Sequence, residues 1–506
     1  MIFRMSIGQV TKRAGGVVSA TNALVLLMGL AGCGGDSNPA PTVNPTPAVS
    51  TLDSIKAFLT STDTVFATTL PGTGAERFKF LDPCFVSGGQ SKSYQVKNYD
   101  DNLALAQQES AFVIGSAKTN VQLVAERKIT NADGTSRLEV DVTYDQVFKD
   151  GTAATGIAAT VVSGSTAGTC ATPTNTADLR FLGDQRKVAV DLQARNIRTD
   201  NFLLATGAPA VATPTVLRRD IRFRVIDTAN VATYAVVTGP GPAGANGQPF
   251  SFKLLSPRIV RSAPELAGKT GNVTSLLDTD SFKLCRSVGS TVPVASIADC
   301  VGQGTSGDSW GYNLSANITD AAAIKAADDI FTAQGWVAGG IYTFAIYADD
   351  GWKTVNGQAG RTPIATYSAA LRSLPYTFAQ LNSGTGGASY PSFTTNLTTA
   401  QIAALLTGSG GPVILSGLQV AGPSGEPRVA LASLVGSAAG SNFDATSTGY
   451  PRTEQNNPSY LAPNATSGTV VIKEKNPATS GTTFGEIGAF YVDRNGRNLQ
   501  RRWDFQ

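Results

Sequence analysis

Histidine is absent from all 506 residues, and charge is scarce: Lys and Arg total 40, Asp and Glu 37, together 15% of the chain. That share is well under the roughly 25% usual for soluble globular proteins. Without histidine there can be no Ser-His or Cys-His catalytic pair, and the commonest general base and metal ligand are both missing. A net charge of +3 on so long a chain provides no basic field to attract nucleic acid or an anionic surface. Methionine falls to 3 and cysteine to 5, against 53 glycines and 25 prolines. The length itself suggests about three domains.

The first fifty residues carry an address. Arg4, Lys12 and Arg13 form a basic start, and residues 15–28 are small, apolar and uncharged. This is the pattern of a secretory signal peptide, too short for a membrane span and ending in small residues. Leu30-Ala31-Gly32-Cys33 then resembles the lipobox of bacterial lipoproteins. The resemblance implies a signal peptide over 1–32, cleavage before Cys33, and lipid (palmitate among its acyl chains) on that cysteine. Several chains anchor stably, since each buried methylene adds about 0.8 kcal/mol and one chain alone is marginal. Gly34 follows, where retention in the inner membrane prefers Asp, so the expected location is the outer membrane of a Gram-negative envelope, facing the periplasm or the outside. Residues 33–50, with Pro39, Pro41, Pro45 and Pro47 and little apolar mass, read as an extended tether. The three cationic residues are the only charges in 1–32, so the mature chain has no net charge.

With Cys33 assigned to lipid, Cys84, Cys170, Cys285 and Cys300 remain, an even number in an oxidising compartment. Four cysteines allow three pairings; Cys84–Cys170 and Cys285–Cys300 are favoured because each falls inside one expected domain. A structural zinc has no Cys-x-x-Cys and no histidine to hold it.

The fold class expected is multidomain and mainly β: an N-terminal α+β cone-like domain followed by two β-sandwiches. In the first, 51–206, Leu52, Ile55, Leu59 and Phe66 mark a helix from Thr51 that Pro71-Gly72 stops. A weaker helix lies near 98–108. Strands follow at 121–127 and 137–148 around an Asn131-Ala132-Asp133-Gly134 turn, and a second hairpin is expected over 178–182 and 186–195. Leu138, Val140, Val142 and Tyr144 share one face, Arg137, Glu139, Asp141 and Thr143 the other. This order, with the segment LRFLGDQRKVAVDL, resembles nuclear-transport-factor-like (SnoaL-like) domains. The resemblance implies a curved sheet packed on helices around a pocket; that family's usual Asp-His pair lacks its histidine here.

Residues 207–217 read as a linker. The second domain, 207–379, shows strands at 220–226 and 233–237 and a helix over 319–334, capped by Thr319 or Asp320 with Ile324, Ala327 and Phe331 on one side. Residues 340–351 resemble the penultimate strand of bacterial immunoglobulin-like (PKD-type) modules. That resemblance assigns Tyr342 to a corner lock bonding back to the chain; the inserted helix departs from it. The third domain, 380–506, is a small Gly/Ser/Thr-rich sandwich with a helix at 399–406 and strands at 413–418, 428–434, 468–473 and 487–492. Trp503 and Phe505 are its expected core plugs.

Catalytic patterns match on paper only. Gly307-Asp308-Ser309-Trp310-Gly311 fits a nucleophile elbow, but no histidine exists to take the serine proton. Residues 263–270 fit a permissive phosphate loop, yet Pro264 removes a donor and Gly268 is its one glycine. Residues 239–244 fit a dinucleotide fingerprint with two prolines and no following helix. Paired carboxylates at Asp100-Asp101, Asp278-Thr279-Asp280, Asp328-Asp329 and Asp349-Asp350 are compatible with exported calcium sites, Asp349 and Asp350 being the metal candidates, although no EF-hand spacing occurs. Trp336, Tyr347 and Trp352 are candidates for a sugar-stacking platform, with core packing as the alternative. The function expected is therefore a lipid-anchored, non-catalytic envelope protein that binds a glycan, a polymer or an envelope protein. The alternatives are a carboxylate-based polysaccharide hydrolase and small-ligand binding in the N-terminal cone. No catalytic residue and no cofactor is assigned.

Overall fold

The computed structural model describes residues 49–101, 114–147, 153–210, 214–242, 250–264, 281–286, 304–305, 309–314, 320–353, 359–394, 397–407, 419–421, 430–438, 441–444, 482–493 and 495–506. The signal, lipobox and tether lie outside these. Among the described residues the fold is mainly β, in several antiparallel sheets with few helices, and no helix is long and apolar enough to cross a membrane.

Helix α1 (Val49–Thr64) forms because Ile55, Phe58, Leu59 and Thr62 recur at three- and four-residue spacing and make one buried stripe. Phe58 completes the stripe expected from Ile55 and Leu59, while Phe66 lies beyond the helix. The short α2 (Gly74–Arg77) starts at Thr73, whose side chain accepts from the Glu76 amide. A two-residue hairpin, β1 (Val86–Ser87) and β2 (Gln90–Ser91), turns through Gly88 and Gly89, both at positive φ. Helix α3 (Lys92–Asp101) begins six residues before the expected position, and residues 102–108 lie outside the described ones.

Strands β3 (Ala117–Thr130), β4 (Ser136–Val147), β5 (Ala153–Ser165) and β6 (Asn175–Phe181) form a four-stranded antiparallel sheet in that order. Its first turn is the expected one: Gly134, at φ +82°, donates its amide to the Asn131 carbonyl. Val140, Val142 and Tyr144 bury one face against Ile55, Leu59, Phe78 and Tyr99 of the helical side. The other face carries Arg127 and Arg137 paired with Glu139 and Asp141. Alternation along β4 thus sets a helix-on-sheet layer. The expected Cys84–Cys170 disulfide ties the start of this layer to the β5–β6 connection across 86 residues. Beside it, the fully buried Asp82 accepts from Arg180 Nε (2.6 Å) and the Cys84 amide (2.7 Å).

The second expected hairpin is corrected. β6 pairs with β5, whereas β7 (Ala189–Phe202) joins a different sheet, so Gly183–Gln185 links two layers instead of turning one ribbon. Nothing local in LRFLGDQRKVAVDL distinguishes a tight turn from a crossover between sheets.

The remaining elements are β8 (Thr215–Ile226), β9 (Tyr234–Gly239), β10 (Phe250–Leu255), α4 (Pro257–Ser262), β11 (Lys283–Arg286), β12 (Gly304–Thr305), β13 (Ser309–Leu314), α5 (Ala321–Ala333), β14 (Ile341–Tyr347), β15 (Ala365–Ala370), α6 (Phe378–Ser383), β16 (Ser392–Thr394), α7 (Thr399–Thr407), β17 (Gln419–Ala421), β18 (Ala430–Ala438), β19 (Ser441–Asp444), β20 (Thr482–Val492) and β21 (Asn498–Phe505). A seven-stranded sheet runs β13-β8-β7-β21-β20-β18-β19, antiparallel except where β21 lies parallel to β7. A six-stranded antiparallel sheet runs β12-β11-β10-β9-β14-β15. Val190, Leu192, Ile221, Phe223 and Val225 of the first meet Val237, Phe252, Leu254, Phe344 and Ile346 of the second in one core, a β-sandwich. Each such side chain contributes roughly 1.5–3 kcal/mol by leaving water.

The seven-stranded sheet draws on all three expected segments: β7 from 51–206, β8 from 207–379 and β21 from 380–506 are hydrogen-bonded neighbours. The boundaries expected at 206/207 and 379/380 therefore do not separate three sheets. A strand's pattern records what its faces meet, not which distant strand pairs with its edge. Helix α5 seals one end of the sandwich, with Asp320 as its N-cap and Ile324, Ala327 and Phe331 buried as expected. Phe505 is buried and Trp503 half-buried; both rings pack on Phe202. The strands expected at 413–418 and 468–473 lie outside the described residues.

Candidate functional site

The two faces of the seven-stranded sheet differ in chemistry. One is the apolar wall of the sandwich. On the other, alternate residues of three adjacent strands are polar: Asp191, Gln193 and Arg195 on β7, Arg218, Asp220, Arg222 and Arg224 on β8, and Asn498, Gln500, Arg502 and Asp504 on β21. Cross-strand register places Asp191 opposite Arg224, Gln193 opposite Arg222, and Arg195 between Asp220 and Asn498. Opposite charges facing each other across a ladder favour this register.

An alternating polar face ordinarily meets water, but this one is largely buried. Asp220 and Asn498 are fully buried, and Arg224 and Gln500 are 2% exposed. Burying charge is tolerated only with partners. Arg195 grips Asp220 in bidentate fashion, Nε on Oδ1 at 2.7 Å and a terminal nitrogen on Oδ2 at 2.8 Å, and Arg218 Nε lies 2.6 Å from the same Oδ2. Asn498 donates to Gln193 Oε1 at 3.5 Å. Arg502 approaches Asp504 to 3.7 Å. Burial pushes the Asp504 carboxyl up and the Arg502 guanidinium down, and Arg218 and Arg195 push Arg502 further down. Gly488 of β20, with no side chain, lies across from Arg502. A face of guanidiniums and amides donates hydrogen bonds in fixed directions, which suits carboxylate, phosphate or clustered hydroxyl oxygens. Only the alternation in LRRDIRFRVI and NLQRRWDF signalled it in the sequence, and that alternation reads first as a solvated face.

The aromatic platform is corrected. Trp336 lies in the sandwich core, edge-on to Phe250 at 5.1 Å. Tyr347 stacks on Tyr234 at 4.7 Å in a smaller buried cluster that also holds Trp352. All three are under a tenth exposed, so no ring face is open to a sugar. The metal candidates Asp349 and Asp350 both lie against Arg361, at 3.1 and 2.9 Å. Both carboxylates are thus charge-paired with one guanidinium. Among the described residues no three acidic or cysteine side chains gather as a metal site.

Asp328 is buried against Arg219, while Asp329 pairs with Lys325 at the surface. Asp100 accepts from the Gly74 amide and Asp101 pairs with Lys97; Asp278 and Asp280 lie outside the described residues. Ser309 and Trp310 stand in the extended edge strand β13, opposite Arg222 and Ile221, where a nucleophile elbow needs a sharp strand-to-helix turn. Cys285 lies in β11, and Cys300 is outside the described residues, as is Cys33. An open groove of about 440 Å³ lies not within the N-terminal layer alone but between it and the sandwich loops, lined by Val86, Gly89, Lys187, Ala229, Val231, Ala348 and Ile364. The chain matches no protein-family model, no curated protein and no solved structure.

Proposed function

We propose that this chain is a lipid-anchored protein of the Gram-negative outer membrane whose role is binding or structural rather than catalytic. Its partner is a glycan, a polymer or another envelope protein, and not nucleic acid. The Cys84–Cys170 disulfide carries the reading: such bonds persist in oxidising compartments, and this one follows a lipobox in the same chain. Extended at about 3.1 Å per residue, the Pro-rich stretch ahead of helix α1, residues 34–48, would reach roughly 45 Å. Next to the tether comes the helix-on-sheet layer, read as the cone-like domain similar to nuclear-transport-factor-like proteins. The sandwich beyond it is read as immunoglobulin-like. The Tyr342 hydroxyl donates to the Pro240 carbonyl just past β9, 102 residues upstream, whereas a corner lock bonds only a few residues back, so the likeness rests on the two packed sheets and not on this bond. The non-catalytic reading is supported by the strand setting of Ser309 and by the Arg361 partner of Asp349 and Asp350.

Labelling with radioactive palmitate, followed by membrane fractionation of the full-length chain and of Cys33→Ser, tests the anchor. The wild type should carry label and sediment with outer membranes. The variant should lose both properties, and a variant that still sediments overturns the reading.

A further inference from the structure

We propose that the open groove between the N-terminal layer and the sandwich binds the alkyl chain of a fatty acid, with Lys187 at its rim taking the carboxylate. The β1–β2 hairpin brings Val86 and Gly89 to the groove. It can press on the chain entering β7 because residue 89 is glycine. At φ +80° the backbone is left-handed there, and a Cβ would collide with the Lys187 carbonyl. The rest of the lining comes from two loops of the sandwich. Ala229 and Val231 stand in the β8–β9 turn, which Asp227 closes by accepting from the Ala232 amide at 2.6 Å. Ala348 and Ile364 bracket the β14–β15 connection. Beside them the Tyr347 carbonyl accepts from the Thr233 amide, and the Ile364 amide donates to the Ile346 carbonyl, both at 2.8 Å. Backbone bonds thus hold the lining in place before any ligand arrives, which lowers the ordering cost of binding.

Size, surface and charge select the ligand. The volume of about 440 Å³ falls within the roughly 300–1,000 Å³ of small-molecule clefts, which favour junctions between folded units. Five of the seven lining residues are apolar, and Val231 among them leaves 39% of its surface to water. An alkyl chain lying along them removes that surface from solvent. Lys187 is the one charged residue of the lining. Its ammonium donates to the Ile364 carbonyl at 3.3 Å, a long bond to a neutral acceptor that leaves two of its three protons for a ligand. Carboxylates beside the lining are committed elsewhere. Asp349, next to Ala348, pairs with Arg361; Asp227 lies buried on the Ala232 amide; Asp184 accepts from the Gly88 and Arg186 amides. A single cation on an apolar groove matches a chain with a single negative head. A carboxylate meets that need, whereas a phosphate monoester, at about −1.5 to −2, would leave charge unbalanced.

This site goes beyond the partners proposed above and does not depend on the anchor. Isothermal titration calorimetry on the full-length Cys33→Ser chain, free of detergent that would compete, should be run with decanoate below its micelle threshold, hexanoate and decan-1-ol. Decanoate should bind saturably, one per chain. Hexanoate should bind at least tenfold more weakly, because four fewer methylenes are covered. Lys187→Gln should weaken decanoate about two- to fivefold, the worth of an exposed ion pair, and leave decan-1-ol unchanged. Ala229→Trp, whose ring fills the groove, should weaken both at least tenfold. Residues 187 and 229 are exposed, so both variants should keep the unliganded circular dichroism spectrum. Absence of saturable decanoate binding overturns the proposal, as does undiminished binding in Ala229→Trp. A Lys187→Gln chain that loses nothing for decanoate, or as much for decan-1-ol, overturns it equally. Sedimentation of the wild type reports on the anchor alone, so failure of the anchor and failure of this site are read separately.

Discussion

Replacing Asp328 by Asn tests how the end of the sandwich is held. Asp328 projects from α5 onto Arg219 of β8 at 2.7 Å, with side-chain exposures of 12% and 3%. The same carboxylate accepts from the Phe378 and Ala379 amides at the start of α6, at 2.9 and 3.1 Å. Arg219 keeps a weak bond to the Pro375 carbonyl and a place over the Phe331 ring at 4.2 Å, but neither is an anion. Removing one partner of a buried pair costs about 3–5 kcal/mol, because the other charge stays in low dielectric. Loss of charge at the helix start adds to this, offset in part by the Thr377–Gln380 capping box, which remains. The expected loss is about 4 kcal/mol, a fall of roughly 4–6 °C in Tm for a chain of this size. Arg219→Met/Asp328→Asn should then be more stable than Asp328→Asn, since no unpaired charge is left, and the cycle with the two single variants should give a coupling of about 1–3 kcal/mol. Urea unfolding of the wild type, both singles and the double variant measures this. An Asp328→Asn chain within 1 kcal/mol of wild type, or strict additivity in the double, would refute the reasoning.

Two further outcomes follow from the N-terminal layer. Reducing Cys84–Cys170, or replacing both cysteines by Ala, frees a loop of 86 residues and should destabilise that layer by about 4–5 kcal/mol in the chain-entropy model; circular dichroism melts with and without dithiothreitol check it. Asp184 accepts from the Gly88 and Arg186 amides, both at 2.9 Å, while burial pushes its carboxyl above the usual range. A raised carboxyl holds its proton in the folded chain after the unfolded chain has lost it. Its contribution is therefore present at low pH and lost as pH rises through the folded value. Asp184→Asn keeps both acceptor bonds without the charge. It should be more stable than wild type near neutral pH, the difference closing as pH falls through the carboxylate range in pH-resolved melts.

Where a pattern depends on neighbours in sequence, it was legible. The stripe of α1, the Asn131–Gly134 turn, the alternation along β4 and the Asp320 cap of α5 all stand where spacing and turn chemistry put them. Pairings set by distant partners were not: β7 lies beside β21, some three hundred residues on, and no local feature of either strand names the other. The same gap explains the aromatic candidates. Trp336 and Tyr347 were read from their proximity in sequence, but the sandwich sends them into different clusters of its interior.

Asp328 and the polar sheet face show how more could have been read. In α5, helical spacing puts residue 328 on the stripe of Ile324, Ala327 and Phe331, so a carboxylate there had to be buried and had to have a cation. Its adjacency to Asp329 suggested a metal pair, yet consecutive residues on a helix point in different directions and cannot share one ligand. The strand case runs the other way. Period-two alternation in β8 and β21 correctly sorts Arg218, Asp220, Arg222 and Arg224 from Leu217, Ile221, Phe223 and Val225, but it says only which residues share a face. Whether that face meets water, protein or a ligand depends on what covers it, and β8 itself carries no mark of its cover. Arginine at every polar position but one was the available clue. A merely solvated strand has no need for so uniform a choice, and a planar, always-charged fork is the side chain that buried carboxylates and bound oxyanions require.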